Sequence, residues 1–155
     1  MKRYKHLLVP LDGSELAELA LTDALDLAQM TGAELTLLQV IRPIEHVLAA
    51  DTGHPIYIDQ QFDSQKMLAL GYLNSVCERI DCYDLPINRV VEMGSPADTI
   101  IDYANQHTVD VIIMATHGRS GLQRWVYGSV ADKVLRGANV PILLVRAHPQ
   151  QAEMV

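Results

Sequence analysis

The chain lacks the features of a membrane protein, a disulfide-rich secreted protein or a general nucleic-acid binder. Its 155 residues include only two cysteines, Cys77 and Cys82, and their spacing fits neither a CxxC motif nor a zinc site. The longest apolar runs are far shorter than the roughly 20 residues of a membrane span. The segment before Pro10 is too short for a signal-peptide core, so we expect a cytoplasmic protein with reduced thiols. A net charge of −7 argues against a basic nucleic-acid-binding surface.

Several catalytic motifs are missing as well. There is no G-x-x-x-x-G-K-[ST] loop, so no lysine is predicted to reach the terminal phosphates of a nucleotide. No G-x-G-x-x-G follows the first strand-like run, which disfavours a dinucleotide-binding fold. Neither a G-x-S-x-G elbow nor an HExxH motif occurs, and the histidines show no metal-ligand spacing. These absences predict weak or absent catalytic machinery.

Strand-like apolar runs alternate with helical patterns along the whole chain. Strands are predicted at 7–11, 35–41, 87–93, 110–114 and 140–145, and helices at 14–31, 63–80, 95–107 and 130–137. Segment 42–61 is predicted to be irregular and to be either a binding element or a mobile loop. Strands linked by helices predict an α/β fold, with one doubly wound domain over residues 1–147 and a tail at 148–155. The expected five-stranded parallel sheet has the order 3-2-1-4-5 and helices on both faces.

The stretch 115–121, Ala-Thr-His-Gly-Arg-Ser-Gly, is the strongest functional signal, together with Gly128 and Ser129. It lies between a predicted strand and a predicted helix, an order that presents backbone N–H groups and a helix N-terminus to a phosphate. The glycines let a ligand approach closely, although they serve a tight turn equally well. Ser129 either caps the helix or donates its hydroxyl to a phosphate. His117 is interpreted as a loop residue or a backbone contact rather than as a catalyst.

Local charge agrees with an anionic ligand. Residues 115–137 of this acidic chain contain four basic side chains against one acid, Asp132. The basic residues are Arg119, Arg124, Lys133 and Arg136. The most cationic segment therefore coincides with the glycine loop.

Asp12 lies where the predicted winding of the sheet reverses. The carboxyl ends of the first and fourth strands meet there, and ligands of such sheets bind in that crevice. A carboxylate at this position can accept hydrogen bonds from ribose hydroxyls or from an adenine amine. The alternative is a turn residue within Asp12-Gly13-Ser14, and the sequence leaves both roles open.

From Leu7-Leu8-Val9-Pro10-Leu11-Asp12-Gly13-Ser14 to Pro141-Ile142-Leu143-Leu144-Val145, the chain resembles a universal stress protein of the A-type family. The most specific match is Gly118-Arg119-Ser120-Gly121 with Gly128-Ser129-Val130. ATP-binding members carry G-x2-G-x9-G-[ST], and here Ala115 replaces the first glycine. The resemblance implies a Rossmann-like fold of the adenine nucleotide alpha hydrolase type. It also implies ATP as ligand.

The resemblance further implies where each part of ATP lies. It places the adenine near Pro10, Leu11, Val40 and Met114, and the ribose near Asp12 and Ala115. It places the phosphates along the glycine loop and the following helix start, at His117, Gly118, Arg119, Gly121, Gly128, Ser129 and Val130. Mg²⁺ would be held mainly by the phosphates. A homodimer through the last strand, from Val140 to Val145, is also implied.

The leading functional hypothesis is a cytoplasmic, ATP-binding stress-response sensor or signalling protein with at most slow ATP hydrolysis. An alternative is a dimeric interaction scaffold that binds no nucleotide, which the Ala115 replacement favours. A third is an enzyme that forms an adenylylated intermediate. Such enzymes carry an HIGH-like or SGGxDS loop after the first strand, and Pro10-Leu11-Asp12-Gly13-Ser14 matches neither.

Overall fold

The chain folds around one parallel β-sheet with helices on both faces. The computed structural model describes residues 4–43, 56–80, 84–116 and 128–147. Its strands are β1 (His6–Leu11), β2 (Glu34–Ile41), β3 (Ile87–Met93), β4 (Val111–Thr116) and β5 (Ile142–Arg146). Neighbouring strands pair in parallel in the order β3-β2-β1-β4-β5. The predicted α/β topology is therefore confirmed.

The helix termini follow their local sequence signals. The helices are α1 (Glu15–Glu18), α2 (Ala20–Thr31), α3 (Ile56–Arg79), α4 (Pro96–Gln106) and α5 (Ser129–Gly137). Ser14 caps α1, since its hydroxyl accepts a hydrogen bond from the N–H of Ala17 at 3.2 Å. Gly32 ends α2 with a φ of 67°, a left-handed conformation that glycine adopts at no steric cost. Pro96 is the first residue of α4, where the missing N–H costs no hydrogen bond.

Alternating residues of the strands supply a separate core on each face of the sheet. Leu7, Leu37 and Ile113 pack with α2 and α3 on one face, where Leu73 and Val76 of α3 are fully buried. Leu8, Leu38, Ile112 and Met114 pack on the other face with Ile100 of α4 and Val134 of α5. Strands that are apolar on both faces are typical of a sheet covered on both sides. The two cores hold the carboxyl ends of β1 and β4 in fixed positions.

Helix α3 corrects the prediction for segment 42–61. The helix begins at Ile56 rather than at 63, so the isolated apolar run 56–58 forms its first turn. Over residues 61–79 of α3, the apolar side chains buried in the core are Ala69, Leu73 and Val76. Met67 and Leu68, just before them, are exposed, so the apolar residues there do not extend the buried stripe. The rest of the predicted irregular segment, from 44 to 55, lies outside the described residues.

Two strand boundaries also differ from the prediction. Strand β4 continues to Thr116 because Ala115 and Thr116 pair with Val145 and Arg146 of β5. Strand β5 begins after Pro141, which has no N–H to donate to a ladder, although its carbonyl accepts from Ile112 at 3.0 Å. Ala115 therefore belongs to a strand rather than to the loop. The predicted tail at 148–155 lies outside the described residues.

The apolar pattern of segment 130–138 predicts one buried helix face with Val130, Ala131, Val134, Leu135 and Ala138, and this prediction is wrong at Leu135. Ala131 and Val134 are buried as expected. Leu135 is 42% exposed, because the helix turns it away from the sheet.

Candidate functional site

A cleft of about 430 Å³ opens at the carboxyl ends of β1, β2 and β4. It extends to the first turns of α4 and α5, on the face of the sheet that these two helices cover. The structure brings together in this cleft the following residues from the sequence prediction: Pro10, Leu11, Asp12, Val40, Met114, Ala115, Gly128, Ser129 and Val130. The other predicted site residues, His117, Gly118, Arg119 and Gly121, lie outside the described residues.

Asp12 is fixed by the turn that follows β1. Its Oδ1 accepts hydrogen bonds from the backbone N–H of Ser14 at 2.9 Å and from the Ser14 hydroxyl at 2.5 Å. Gly13 between them has a φ of +85°, a conformation that side-chain-bearing residues rarely adopt. The turn role is thus confirmed for one carboxylate oxygen. The second oxygen, Oδ2, accepts no hydrogen bond from the described residues, and Asp12 is exposed in the cleft.

The start of α5 supplies backbone donors without a side-chain cap. Gly128 is the N-cap residue and has no side chain to accept a hydrogen bond, so of the two roles left open for Ser129 the helix cap is wrong. Ser129 is the first helical residue, and its side chain is exposed at the cleft. The first intrahelical bond of α5 runs from Asp132 N to Gly128 O at 2.9 Å. The N–H groups of residues 129–131 therefore precede the helical ladder and form an anion-binding end.

The floor of the cleft is apolar. Leu38 and Val40 from β2, Met114 from β4 and Ile100 from α4 line it. Pro10 closes the floor from β1. A flat aromatic base suits such a surface, because ligand pockets combine apolar walls with a few fixed polar groups.

Ala115 contributes its backbone to the cleft and its methyl group to the opposite face of the sheet. Strand residues alternate between faces, and Met114 belongs to the core under α4 and α5. Ala115 packs instead against the core under α2 and α3. The extra methyl group, relative to the glycine of the motif, is therefore accommodated away from the α5 side of the cleft.

Thr116 is a cleft residue that the sequence prediction missed. It is 7% exposed, and its hydroxyl oxygen has no hydrogen-bond partner among the described residues. A buried hydroxyl without a partner costs about 1–3 kcal/mol. In the sequence, the one indication of a role for Thr116 in the site is its position between Met114 and the glycine loop.

A second cavity, of about 640 Å³, adjoins the cleft and shares Arg42, Pro96, Ser129 and Val130 with it. It lies between the N-termini of α4 and α5, and Ser95 and Lys133 line it. Two cations and no carboxylate side chain are found among its described lining residues. Arg42 was not predicted as a site residue, because it directly follows β2 in a segment without a motif.

The basic residues of the glycine-loop region are not equivalent. Arg136 forms an ion pair with Asp132 on the same helix, with N–O distances of 3.0 and 3.1 Å. This bond raises the pKa of Arg136. Lys133 instead faces the second cavity, so among the described residues it is the cation of α5 that an anionic ligand can use.

Helix α1 is tied to α3 close to Asp12. Arg79 binds Glu18 through both of its terminal nitrogens, at 3.0 and 3.1 Å, and the Tyr72 hydroxyl donates to Glu18 at 2.9 Å. The hydrogen bond from Arg79 lowers the pKa of Glu18. Burial raises the pKa of Tyr72, with smaller contributions from Glu18 and Asp12. The cluster therefore supports the helix that begins at Ser14.

No group of three or more His, Cys, Asp and Glu side chains suited to a metal ion occurs within the described ranges. No helix in the described part of the chain is both long and apolar enough to span a membrane. Cys77 is half-buried on α3 and packs against the core, whereas Cys82 lies outside the described residues.

Comparison with known proteins points to one family. The model of the universal stress protein family matches residues 3–146. The universal stress protein YxiE of Bacillus subtilis is 30% identical over 148 residues, which cover 92% of this chain and 99% of that protein. The solved structure of MJ0577 has a TM-score of 0.78 at 26% identity and covers 95% of this chain and 99% of its own. MJ0577 is a universal stress protein of Methanocaldococcus jannaschii.

Two more distant structures share the fold and contain nucleotides. A universal stress protein in complex with cAMP has a TM-score of 0.66 at 21% identity, covering 93% of this chain and 98% of its own. A family protein of Arabidopsis thaliana with AMP bound has a TM-score of 0.66 at 15% identity, covering 97% and 96%.

Proposed function

We propose that this chain, which belongs to the universal stress protein family, binds ATP in the cleft at the ends of β1 and β4 and acts as a stress-response sensor or signalling protein. One observation carries the proposal. The carboxylate of Asp12, an apolar floor and the uncapped N-terminus of α5 face the same cleft. These are the three chemistries that ribose, adenine and phosphate require.

Each part of the nucleotide has a suitable partner. The adenine lies on Pro10, Val40 and Met114, whose side chains form an apolar surface, and beside the backbone of Leu11, whose side chain packs in the core on the opposite face of the sheet. The free Oδ2 of Asp12 accepts from a ribose hydroxyl, and the backbone of Ala115 lies beside the sugar. The first phosphate accepts hydrogen bonds from the N–H groups at 129–131. The predicted contacts at His117, Gly118, Arg119 and Gly121 remain part of this proposal.

The second cavity supports a polyphosphate rather than AMP alone. It continues from Ser129 and Val130, so a phosphate chain that leaves the α5 terminus enters it. Arg42 and Lys133 line this path and match the charge of the outer phosphates. Mg²⁺ fits as an ion held mainly by the phosphates, because Asp12 is the only carboxylate side chain among the described lining residues of the two cavities.

Hydrolysis is expected to be slow. Rapid phosphoryl transfer requires a positioned water and groups that stabilise the charge of the transition state. Among the described cleft residues, Asp12 is the one carboxylate available to orient water, and its Oδ1 already accepts two hydrogen bonds from Ser14. The nucleotide therefore acts as a bound signal, and its occupancy alters the surface offered to partner proteins in the cytoplasm.

Gly128→Val offers a direct test of the site. A Cβ at Gly128 meets nothing within 4 Å, and the φ of −55° suits any L-residue, so the fold tolerates the substitution. The new side chain occupies the approach to the α5 terminus. We expect at least a tenfold loss of ATP affinity by calorimetric titration of nucleotide-free protein.

Gly71→Val is the matched control, because a Cβ at this exposed position of α3 also meets nothing within 4 Å. It should leave ATP affinity unchanged. Equal ATP affinity of both variants and the wild type would contradict the proposed site.

Dimerisation through β5 is the second part of the proposal and the basis of the alternative scaffold function. The two edges of the sheet differ. Edge strand β3 carries Arg89 and Glu92, charges that discourage strand addition, whereas β5 reads Ile-Leu-Leu-Val-Arg with Leu143 40% exposed. A second copy of the chain can cover the β5 edge symmetrically, through residues Val140 to Val145.

Light scattering of the purified protein tests this edge. We expect a dimer, and we expect Leu143→Glu to give a monomer. Leu135→Glu is the control, because Leu135 has nearly the same exposure but lies on α5. A monomeric wild type contradicts the dimer. A dimer that binds no ATP favours the scaffold function.

A further inference from the structure

Thr116 requires an explanation that the fold alone does not supply. Its hydroxyl oxygen and Oε1 of Gln39 are the buried side-chain polar atoms without a hydrogen-bond partner in the described part of the chain. Native proteins rarely leave such groups unpaired, and a functional role is one of the usual reasons. Gln39 faces the core under α2 and α3, with Leu35 and Leu37 of the same strand, and it does not line the cleft. Thr116 lines the cleft.

Thr116 and Asp12 lie at the same edge of the sheet, at the ends of neighbouring strands. Leu7 of β1 pairs with Val111 of β4 and Leu8 with Ile112. Asp12 directly follows β1, Thr116 is the last residue of β4, and both residues line the cleft. Strand alternation sends Thr116 to the same face as Ile112 and Met114, which is the face of the cleft.

Thr116 also lies on the way from the sugar to the phosphates. Asp12, directly after β1, and Ser129, at the start of α5, line the same cleft as Thr116. The ligand group nearest to Thr116 is therefore the junction of the ribose and the first phosphate. Both the ribose hydroxyls and the phosphate oxygens at this junction can bond to a threonine hydroxyl, which donates one hydrogen bond and accepts two.

We propose that the Thr116 hydroxyl is a ligand-recognition group that hydrogen-bonds the ribose–α-phosphate junction of an adenine nucleotide. This inference rests on the proposed function. Rotation of the Thr116 side chain between staggered rotamers exchanges the hydroxyl and the methyl group, and so turns the buried oxygen toward the ligand. The sequence motif does not include this position, since its conserved spacing counts only glycines and the final Ser or Thr.

Thr116→Val separates a ligand role from a structural one. Valine keeps the shape of the side chain and removes the hydroxyl. Without nucleotide, the thermal midpoint should stay the same or rise, because the variant removes an unpartnered buried polar group. In calorimetric titrations, the affinities for AMP and for ATP with Mg²⁺ should both fall by the same factor, about five- to tenfold. Thr116→Ser keeps the hydroxyl and should bind both nucleotides within about twofold of the wild type.

Three outcomes would overturn the role of Thr116. One is a lower thermal midpoint of Thr116→Val with unchanged affinities, since the hydroxyl would then have a structural partner. Another is unchanged affinity with an unchanged midpoint. The third is a loss for ATP alone, which would assign the hydroxyl to the outer phosphates. If the wild type binds neither AMP nor ATP, the proposed function itself fails. If the wild type binds and Thr116→Val binds equally well, only the role of Thr116 fails.

Discussion

Ser14 holds one oxygen of Asp12 and leaves the other facing the cleft. Its hydroxyl donates to Asp12 Oδ1 at 2.5 Å, its N–H donates to the same oxygen at 2.9 Å, and its oxygen accepts from Ala17 N. One side chain thus caps α1 and orients the carboxylate that we assign to the ribose. Recognition of the sugar is coupled in this way to the first helix of the fold.

Ser14→Ala should weaken both roles. Loss of the N-cap bond destabilises the protein by about 1 kcal/mol. The freed carboxylate of Asp12 adopts more orientations, so the preference for ATP over 2′-deoxy-ATP should fall, which calorimetric titration measures for both nucleotides. Ser14→Thr, which keeps a hydroxyl, should retain the preference. A variant that loses stability but keeps the full preference for ATP over 2′-deoxy-ATP would show that Ser14 acts only as a helix cap.

Ala115→Gly restores the glycine of the family motif, and we expect little effect on ATP binding. The Ala115 methyl packs against the core on the opposite face of the sheet, so its removal opens no space in front of α5. The ATP dissociation constant should change by less than about threefold, while stability falls by about 0.5–1 kcal/mol because glycine weakens a strand. A tenfold or greater gain in affinity would show that the methyl group obstructs the sugar.

Arg42 and Lys133 should distinguish ATP from AMP. Replacing either with alanine removes a cation from the second cavity but leaves the apolar floor and Asp12 intact. The affinity for ATP should fall about five- to tenfold, because hydrogen bonds to charged groups contribute more than neutral ones, whereas the affinity for AMP changes little. Arg136→Ala is the control, since Arg136 is paired with Asp132. Equal losses for AMP and ATP would contradict a polyphosphate path.

Glu18 should contribute to the acid sensitivity of the fold. The pKa of its carboxyl is lowered in the folded state, first by the hydrogen bond from Arg79. Its stabilisation is therefore fully present above the pKa of an unfolded glutamate, about 4.3, and is lost as the pH falls through the lower folded value. Arg79 is largely exposed, so the contribution is at most about 1 kcal/mol.

Thermal unfolding at pH 7 and pH 3 checks the role of Glu18. The Glu18→Gln variant should lose less stability than the wild type between these two values. Glu15→Gln, an exposed residue of the same helix, should behave like the wild type. An identical loss in the wild type and in Glu18→Gln would rule out the ion pair as a source of acid sensitivity.

The sequence predicted the parts of the structure that local chemistry determines. The helix predicted at 14–31 lies between the Ser14 cap and the Gly32 end that the structure shows, although it is divided at Leu19, and the strand at 87–93 was correct. The sheet order followed from the handedness of the crossovers. The apolar runs 7–11 and 35–41 were identified as strands because both of their faces are buried.

The errors arose where tertiary contacts decide. Met67 and Leu68 of α3 are exposed, so no buried apolar stripe marks the helix before Ala69, and β4 extends to Thr116 because β5 pairs with it. Arg42, Thr116 and Lys133 line the cleft or the second cavity. They come from separate parts of the sequence that only the fold brings together. The glycine motif, which spans 15 residues from Ala115 to Ser129, specifies none of these three residues.

A titration of isotope-labelled, nucleotide-free protein with ATP and Mg²⁺, followed by backbone amide NMR, would show directly whether ATP binds in the cleft at the ends of β1 and β4. We expect saturable shifts at Asp12, Val40, Ser129 and Val130, with Glu34 and Asp110 at the opposite ends of the strands unaffected. GTP should cause smaller shifts at the same concentration. No shifts at millimolar ATP, or shifts confined to residues outside the cleft, would contradict ATP binding in this cleft.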